Sequence, residues 1–348
     1  MYRKLYYQVI LVKISKHYIP LFKGIDQSTR RLPFLMADSG QSGPVICLTA
    51  AIHGDEVTGT AVIHKIFKRF EKDPLRSGII YGFPILNPTG FEAISRRDIY
   101  GGEDLNRAFP GKEYGNTAER HAWIIGQNIR NFKPDYVIDL HTDSFNSIIY
   151  TIVDYIDGEK HQKTFARSVT LAAQLGITWV VDTEETGGYD PATCLTGYLI
   201  ARGIPAVTVE LGAPFVVMEP AKHYAVDAIW QFLAGLGMIA GQLKQHIGIL
   251  PKRALAATRH IYTQSSGIVE YKVTAGQKIT RGQTLGRVKN VFGETIETIT
   301  APVNGLLLSH EDQSVTFPGM ELFTLAEEVS MRQYVPNPLT LKVEYGRG

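Results

Sequence analysis

His53 and Glu56 stand three residues apart in the stretch AAIHGDEVTG, directly after the apolar run VICLTA. His141 closes the apolar run VIDLH, and Glu210 closes AVTVE. Two imidazoles and a carboxylate make the ligand set of a catalytic zinc, with the fourth position left to water. A further carboxylate nearby is what such a site needs as a base. The spacing of His53 and Glu56 suits two ligands on a tight turn or a first helical turn, and Gly54 between them lets the chain bend. Asp139 precedes His141 by two and shares its face of the strand. It could accept a hydrogen bond from a ligand's outer ring nitrogen or bind nothing of note; Asp143 is a second candidate for that role.

A lone His-x-x-Glu occurs by chance, and a single histidine is usually a surface or satisfied core residue. Of the ten histidines, His17, His64, His161, His223, His246 and His260 have no comparable setting. The combination is what carries specificity: His-x-x-Glu, a second His at another strand end and a Glu at a third. A further polar set lies in EDLNRAFPG, residues 103 to 111. A guanidinium is a planar fork matched to a carboxylate, so Arg107 beside Asn106 is a candidate clamp for a substrate carboxylate. Arg96 is a candidate to face the metal and stabilise an oxyanion. The plainer alternative is that these arginines are solvated surface charges, as most are.

The elements that would carry these residues alternate. Strand-like runs (PVICLTAAI, SGIIYGFPILNP, DYVIDLH, SIIYTIVDY, IPAVTVELG) are interleaved with helical patterns over VTGTAVIHKIFKRFEK, residues 116 to 132 opened by an Asn cap, 161 to 175, and 219 to 247. That alternation predicts an α/β fold with a mostly parallel sheet flanked by helices. Such sheets bind ligands at the carboxyl ends of their strands, which sends all four residues to one rim. Residues 1 to 40 read as a β-rich lead-in. The stretch from Thr89 to Gly115 has no clear period and reads as a long loop, a kind that is usually functional. After Pro251 helical patterns stop and short β runs alternate with Gly turns. The expected division is a catalytic domain over 1–250 and a C-terminal all-β domain over 251–348, ending near 328 with an extended tail.

Composition narrows the partners. Hydrophobic residues make up 44% and charged residues 20% of the chain, the balance of an ordinary globular protein. Thirty-six basic against 34 acidic residues gives no case for nucleic acid or an anionic membrane. The basic, apolar N-terminus is broken by Lys13 and lacks a small-residue cleavage site, so it reads as a strand and not as a signal peptide. No run approaches the ~18 apolar residues that span a bilayer. Cys47 and Cys194 cannot build a disulfide framework, and Cys47 reads as a small buried hydrophobe. The expectation is a soluble, cytoplasmic protein; a homo-oligomer is left open.

In order, HGDE, NPTGF, DLNRAFPG, DLHT and VTVELG resemble the succinylglutamate desuccinylase/aspartoacylase family, a branch of the zinc carboxypeptidase-like group. The resemblance covers residues 40 to 240, and the β-rich tail also fits it. It implies a zinc-carboxypeptidase-like mixed sheet and one zinc per chain, held by His53, Glu56 and His141. It implies that Glu210 is the general base, that Arg96 polarises the scissile carbonyl, and that Asn106 and Arg107 grip the α-carboxylate of a small N-acyl amino acid. Arg97 adjoins Arg96, so either could face the metal, and Arg97 joins the candidate substrate-binding set. Amide hydrolysis agrees with these residue types, since a bound zinc lowers a water's pKa from ~15.7 to about 7 and acts as a Lewis acid.

Departures from the family narrow the substrate. Aspartoacylase has an extra Arg, some residues before its catalytic Glu, for a second carboxylate; here Tyr198 stands in that stretch, with Arg202 nearby at a helix end. The tail resembles biotinyl/lipoyl-like half-repeats, but the turn GETIETITAPVNG has no Lys to modify. A structural role, or a wall over the active site, is the reading for it. Three alternatives to a deacylase remain. A zinc carboxypeptidase or amidase on short, cell-wall-type peptides would use the same site. A catalytically dead binding protein would have lost Glu210 or a ligand. A structural protein whose polar residues merely cap strands would bind no metal.

Overall fold

Alternate residues of the strand Val45–Ala50 enter two different cores. Ile46, Leu48 and Ala50 pack on one face of the sheet, with the helices Thr58–Arg69, Glu159–Leu175 and Glu219–Gly235. Cys47 faces the other side, with the helices Thr117–Asn131 and Leu195–Ala201. A strand covered on both faces must be apolar throughout, which is why VICLTA shows no alternation. The computed structural model describes residues 13–241 and 255–329 of the chain. The first twelve residues, the end of the helical pattern over 219–247, His246, the boundary near residue 250 and the tail past 329 lie outside the described residues.

The fold is mixed α/β with a β-rich C-terminal region. Four central strands, Ile79–Phe83, Val45–Ala50, Tyr136–His141 and Ala206–Glu210, run parallel and side by side. Beyond them the direction reverses: Tyr150–Asp154 lies antiparallel to Ala206–Glu210, and Trp179–Asp182 lies parallel to Tyr150–Asp154. On the other side, the hairpin of Lys13–Lys23 and Thr29–Asp38 joins antiparallel to Ile79–Phe83. Among the described residues the sheet has thirteen strands. It runs without a break into the C-terminal region, because Leu255–Tyr262 pairs parallel with Trp179–Asp182 at Ala257 and Val181. Glu321–Val329, Gly305–His310 and Lys278–Ile279 continue it. A second, four-stranded sheet closes over it around a small core containing Leu285, Val288, Leu307 and Phe323.

Two helix starts show how local chemistry fixes the layout. Asn116 accepts from the Glu119 backbone N–H while the Glu119 side chain accepts from the Asn116 N–H, a reciprocal capping box. Asn87 caps the short helix Pro88–Ala93, with proline in its first turn where a missing N–H costs nothing. That helix and the 3-10 turn Leu105–Arg107 interrupt the long loop expected over 89–115. Both are too short to show a helical period in sequence. No helix among the described residues is long and apolar enough to cross a membrane.

Candidate metal centre and substrate cavity

The parallel register sets the rim. His141 pairs directly with Glu210, and Asp139 pairs with Thr49 on the neighbouring strand. The chain leaves Val45–Ala50 through His53, whose carbonyl accepts from the Glu56 N–H at 3.2 Å. Gly54 does not sit in the left-handed region, so bending is not its reason. Its role is close approach: a Cβ there would lie 2.0 Å from the Gly90 carbonyl carbon. The Gly54 N–H donates to the Ser95 carbonyl at 2.9 Å, locking the turn against the loop that carries Arg96.

His53, Glu56 and His141 come together, all buried, with one donor atom from each lying within 4.8 Å of the others. Glu56 sits between the rings: its Oε1 is 2.6 Å from His53 Nδ1 and its Oε2 is 3.0 Å from His141 Nδ1. The Thr142 N–H donates to Glu56 Oε2 at 3.1 Å. Each outer ring nitrogen meets its own carboxylate. His53 Nε2 is 3.0 Å from Asp104 Oδ1, and His141 Nε2 is 2.9 Å from Asp139 Oδ2. Thr49 Oγ1 donates to the other Asp139 oxygen at 2.6 Å. Arg96 Nη1 lies 3.2 Å from His53 Nδ1. His53 Nδ1 therefore faces both a carboxylate oxygen and a guanidinium, while its Nε2 faces Asp104. Two inward imidazole nitrogens and a carboxylate, each imidazole steadied from behind by an acid, make a donor set that fits a divalent cation in place of the protons they share.

The electrostatics agree. Burial works against a charged Glu56, yet the imidazoles of His53 and His141 hold its carboxyl well below the usual carboxylate range. Burial also opposes the charge of Asp104, but the hydrogen bond and charge of His53 and the guanidiniums of Arg96 and Arg107 keep it low. For His141, burial is outweighed by Asp139 and Glu56, which raise it well above an ordinary imidazole. Glu210 behaves differently. Burial pushes its carboxyl up to about 8, with His141 and Arg96 pulling down and Glu56 and Asp143 pushing further up. Its Oε2 is buried and has no hydrogen-bond partner. A dication beside it would draw that value down.

The cluster opens into a cavity of about 640 Å³ lined by Glu56, His141, Glu210, Arg96, Asn106 and Arg107 among others. Arg96 also donates to Glu56 Oε1 at 3.3 Å and to Asp104 Oδ2 at 3.2 Å. Arg97 points elsewhere: its Nη1 donates to the Gly102 carbonyl at 3.0 Å, and it lines a separate surface pocket. Asn106 Oδ1 accepts from the Leu195 N–H at 2.9 Å, at the start of the helix Leu195–Ala201, which leaves its NH₂ for the cavity. The Arg107 guanidinium lies 3.8 Å over the ring of Tyr189, whose hydroxyl donates to Asp182 at 2.7 Å. Asp143 accepts from the Tyr150 hydroxyl at 3.0 Å and does not hold a ligating ring. Tyr198 is buried against Phe109 with Arg202 over its ring, and neither Tyr198 nor Arg202 lines the cavity.

Sequence reasoning passed over Asp104 and Tyr189, and it offered the C-terminal region as a structural part or a wall over the site without naming residues in it. Asp104 was visible inside EDLNRAFPG, as an Asp whose side chain caps the turn Leu105–Arg107, but its partner His53 is 51 residues away. Tyr189 had no signal beyond its type. The C-terminal residues arrive because Gly305–His310 pairs with Asn146–Ser147, just after His141. Asp312 then accepts from the Phe145 N–H at 2.9 Å, and the Ser144 hydroxyl donates to the His310 carbonyl at 3.0 Å. This places His260, Glu311 and Glu321 on the cavity.

Comparison with known proteins bears on the family and the fold. Residues 42–235 match the model of the Succinylglutamate desuccinylase/Aspartoacylase catalytic domain. The N-alpha-acetyl-L-2,4-diaminobutyric acid deacetylase of Halomonas elongata is 23% identical over 305 residues, 86% of this chain and 86% of that protein. Among solved structures, the succinylglutamate desuccinylase/aspartoacylase of Rhodobacter sphaeroides superposes with a TM-score of 0.77 at 20% identity, covering 91% of this chain and 96% of that one. The product-bound ectoine utilization protein of Ruegeria pomeroyi gives 0.74 at 19% identity, covering 91% and 95%.

Proposed function

Because the chain belongs to the succinylglutamate desuccinylase/aspartoacylase family, we propose that it is a zinc-dependent hydrolase that cleaves the amide bond of a small N-acyl amino acid. The observation that carries this reading is the convergence of His53 Nδ1, Glu56 and His141 Nδ1 beside a buried Glu210 oxygen that has no partner. His53, Glu56 and His141 would hold one zinc per chain. A zinc so bound supplies a Lewis acid for the carbonyl and lowers the pKa of water.

The remaining steps belong to the side chains. Glu210 takes a proton from the attacking water at its free Oε2 and returns it to the leaving amine. Arg96, rather than Arg97, balances the charge that develops on the carbonyl oxygen. Asp104 and Asp139 keep the two rings oriented. Arg107, fixed flat on Tyr189, and the NH₂ of Asn106 grip the α-carboxylate. The relative from Halomonas elongata is named for removing an acetyl group, which puts N-acetyl amino acids first among candidates. A walled cavity of about 640 Å³ suits a small substrate better than a peptide.

We place catalysis in residues up to about 250 and the wall in the C-terminal β region, and carry the carboxypeptidase-like and biotinyl/lipoyl-like likenesses as part of the same reading. Two buried free cysteines fit a reducing, cytoplasmic setting. The test is a panel of N-acetyl, N-formyl and N-succinyl amino acids with the zinc-loaded protein. Release of a free amino acid from one of them supports the deacylase. Zinc uptake with release only from short peptides moves the assignment to a peptidase or amidase. Zinc uptake with tight binding and no turnover of either class leaves a binding protein.

A further inference from the structure

The cavity is acidic beyond what a metal centre and two arginines require. Nine of its lining residues are Asp or Glu, against two Arg and no Lys. Several of the carboxylates have local work. Asp312 accepts from the Phe145 N–H and from Asn146. Asp182 accepts from Tyr189 and Thr258. Glu321 accepts from Thr324 at 2.5 Å and pairs with His260. Asp55 and Glu210, beside the histidine cluster, and Glu311, on the C-terminal wall, have no hydrogen-bond or ion-pair partner for their carboxylates among the described residues, so Glu311 is the spare carboxylate that the C-terminal region supplies. Arg96 does not need it, being matched by Glu56 and Asp104.

Acids predominate around Glu311: burial first, then Glu321, Asp143 and Asp312, push its carboxyl up to about 7, against a smaller downward pull from Arg96. A cation brought to this wall would relieve that repulsion. It is not a second metal site of the kind seen at the histidines. Among the described residues only His53, Glu56 and His141 bring three donor atoms within 4.8 Å of one another. The cavity is also built to receive a polar ligand, because four buried polar atoms on its lining lack partners. These are Glu210 Oε2, on a residue 9% exposed, Thr142 Oγ1, on a residue 4% exposed, Asp55 Oδ1 and His260 Nε2. The guanidiniums come from the loop over 89–115 and the spare carboxylate comes from the C-terminal region, so the two ends of a ligand would meet opposite charges. Among the described residues no Arg or Lys lines the cavity beyond Arg96 and Arg107, and the cationic group on the C-terminal wall, His260, is already paired with Glu321 at 2.5 Å.

We propose that the acidic wall supplied by the C-terminal β region selects N-acyl amino acids whose side chain carries a positive charge, with Glu311 as the residue that meets that charge. This rests on the deacylase reading. Ammonium and alkyl side chains of equal length separate charge from size. With zinc-loaded protein we expect Nα-acetyl-L-ornithine to exceed Nα-acetyl-L-norleucine by at least about tenfold in kcat/KM, with Nα-acetyl-L-glutamate poorest. Glu311→Gln should lower the ornithine value about tenfold, mostly through KM, and leave norleucine within about twofold, which also shows the variant is folded. Glu311→Lys should shift preference toward the glutamate derivative.

Calorimetric binding of the free amino acids to the same zinc-loaded protein reads the wall without turnover. Ornithine binding more tightly than norleucine, and losing that margin in Glu311→Gln, supports the wall even if no acyl substrate is cleaved; in that case only the deacylase reading fails. Equal or reversed preference in both assays, or a Glu311→Gln loss shared equally by all side chains, overturns the proposal.

Discussion

At Glu210 one carboxylate oxygen is buried without a partner, while every imidazole nitrogen of His53 and His141 has a neighbour to answer to. The two situations make opposite expectations for substitution. Glu210→Gln keeps the shape and removes the base, so we expect metal content unchanged and kcat lower by about 10²–10⁴-fold. A rate near wild type would remove Glu210 as the base. Asp104→Asn keeps a group near His53 Nε2 but removes the charge that steadies the ring. We expect metal affinity to fall about 10–100-fold, read by competition with a chromogenic chelator. Unchanged affinity would make Asp104 a partner of Arg96 alone. The four strand-end residues were legible because each follows an apolar run. Asp104 and Tyr189 were not, because what marks them is a partner far along the chain, and spacing does not encode that.

At the scale of elements, the turn HGDE is a piece of packing as much as a bend. Gly54 lies so close to the backbone of Pro88–Ala93 that any side chain must push the two apart. We expect Gly54→Ala to cost about 1–3 kcal/mol or more of stability, as overpacking does. It should also weaken metal binding at least tenfold, since His53 and Glu56 flank the displaced residue. Normal metal affinity in a folded Gly54→Ala protein would contradict the packing. Periodicity predicted the long helices, and the capping box at Asn116 fixed one start to the residue. The strand Trp179–Asp182 escaped because four residues carry too little pattern. The helix that opens the pattern over 219–247 ends at Gly235, where a glycine weakens the hold, and residues 236–241 are not helical. The mostly parallel sheet is parallel at its centre and mixed at its flanks, since Tyr150–Asp154 reverses direction beside Ala206–Glu210. No local signal gives strand direction.

Across the whole molecule, the continuous sheet brings the C-terminal region to the cavity, and burial leaves marks on its acids. Tyr150 and Val180 share a small core with Leu306, Leu308 and Ala326, so the middle of the chain packs against the C-terminal region there. Burial raises Asp154 from 3.8 to about 7, Glu311 from 4.5 to about 7 and Glu210 from 4.5 to about 8. The folded protein then holds protons that the unfolded chain has already released, so stability falls as pH climbs through that span. We expect the thermal midpoint of metal-free protein to drop between about pH 4.5 and about 8, and zinc to raise it. A metal-free midpoint rising over that range would contradict the burial of these acids. The central claim is that the cluster holds a catalytic zinc, and the most direct measurement is metal content and amino-acid release on one sample, before chelation, after it, and after zinc is restored. We expect about one zinc per chain, release of amino acid that stops on chelation, and its return with zinc. A protein that takes up no zinc, or that hydrolyses N-acyl amino acids equally well without it, would contradict the claim.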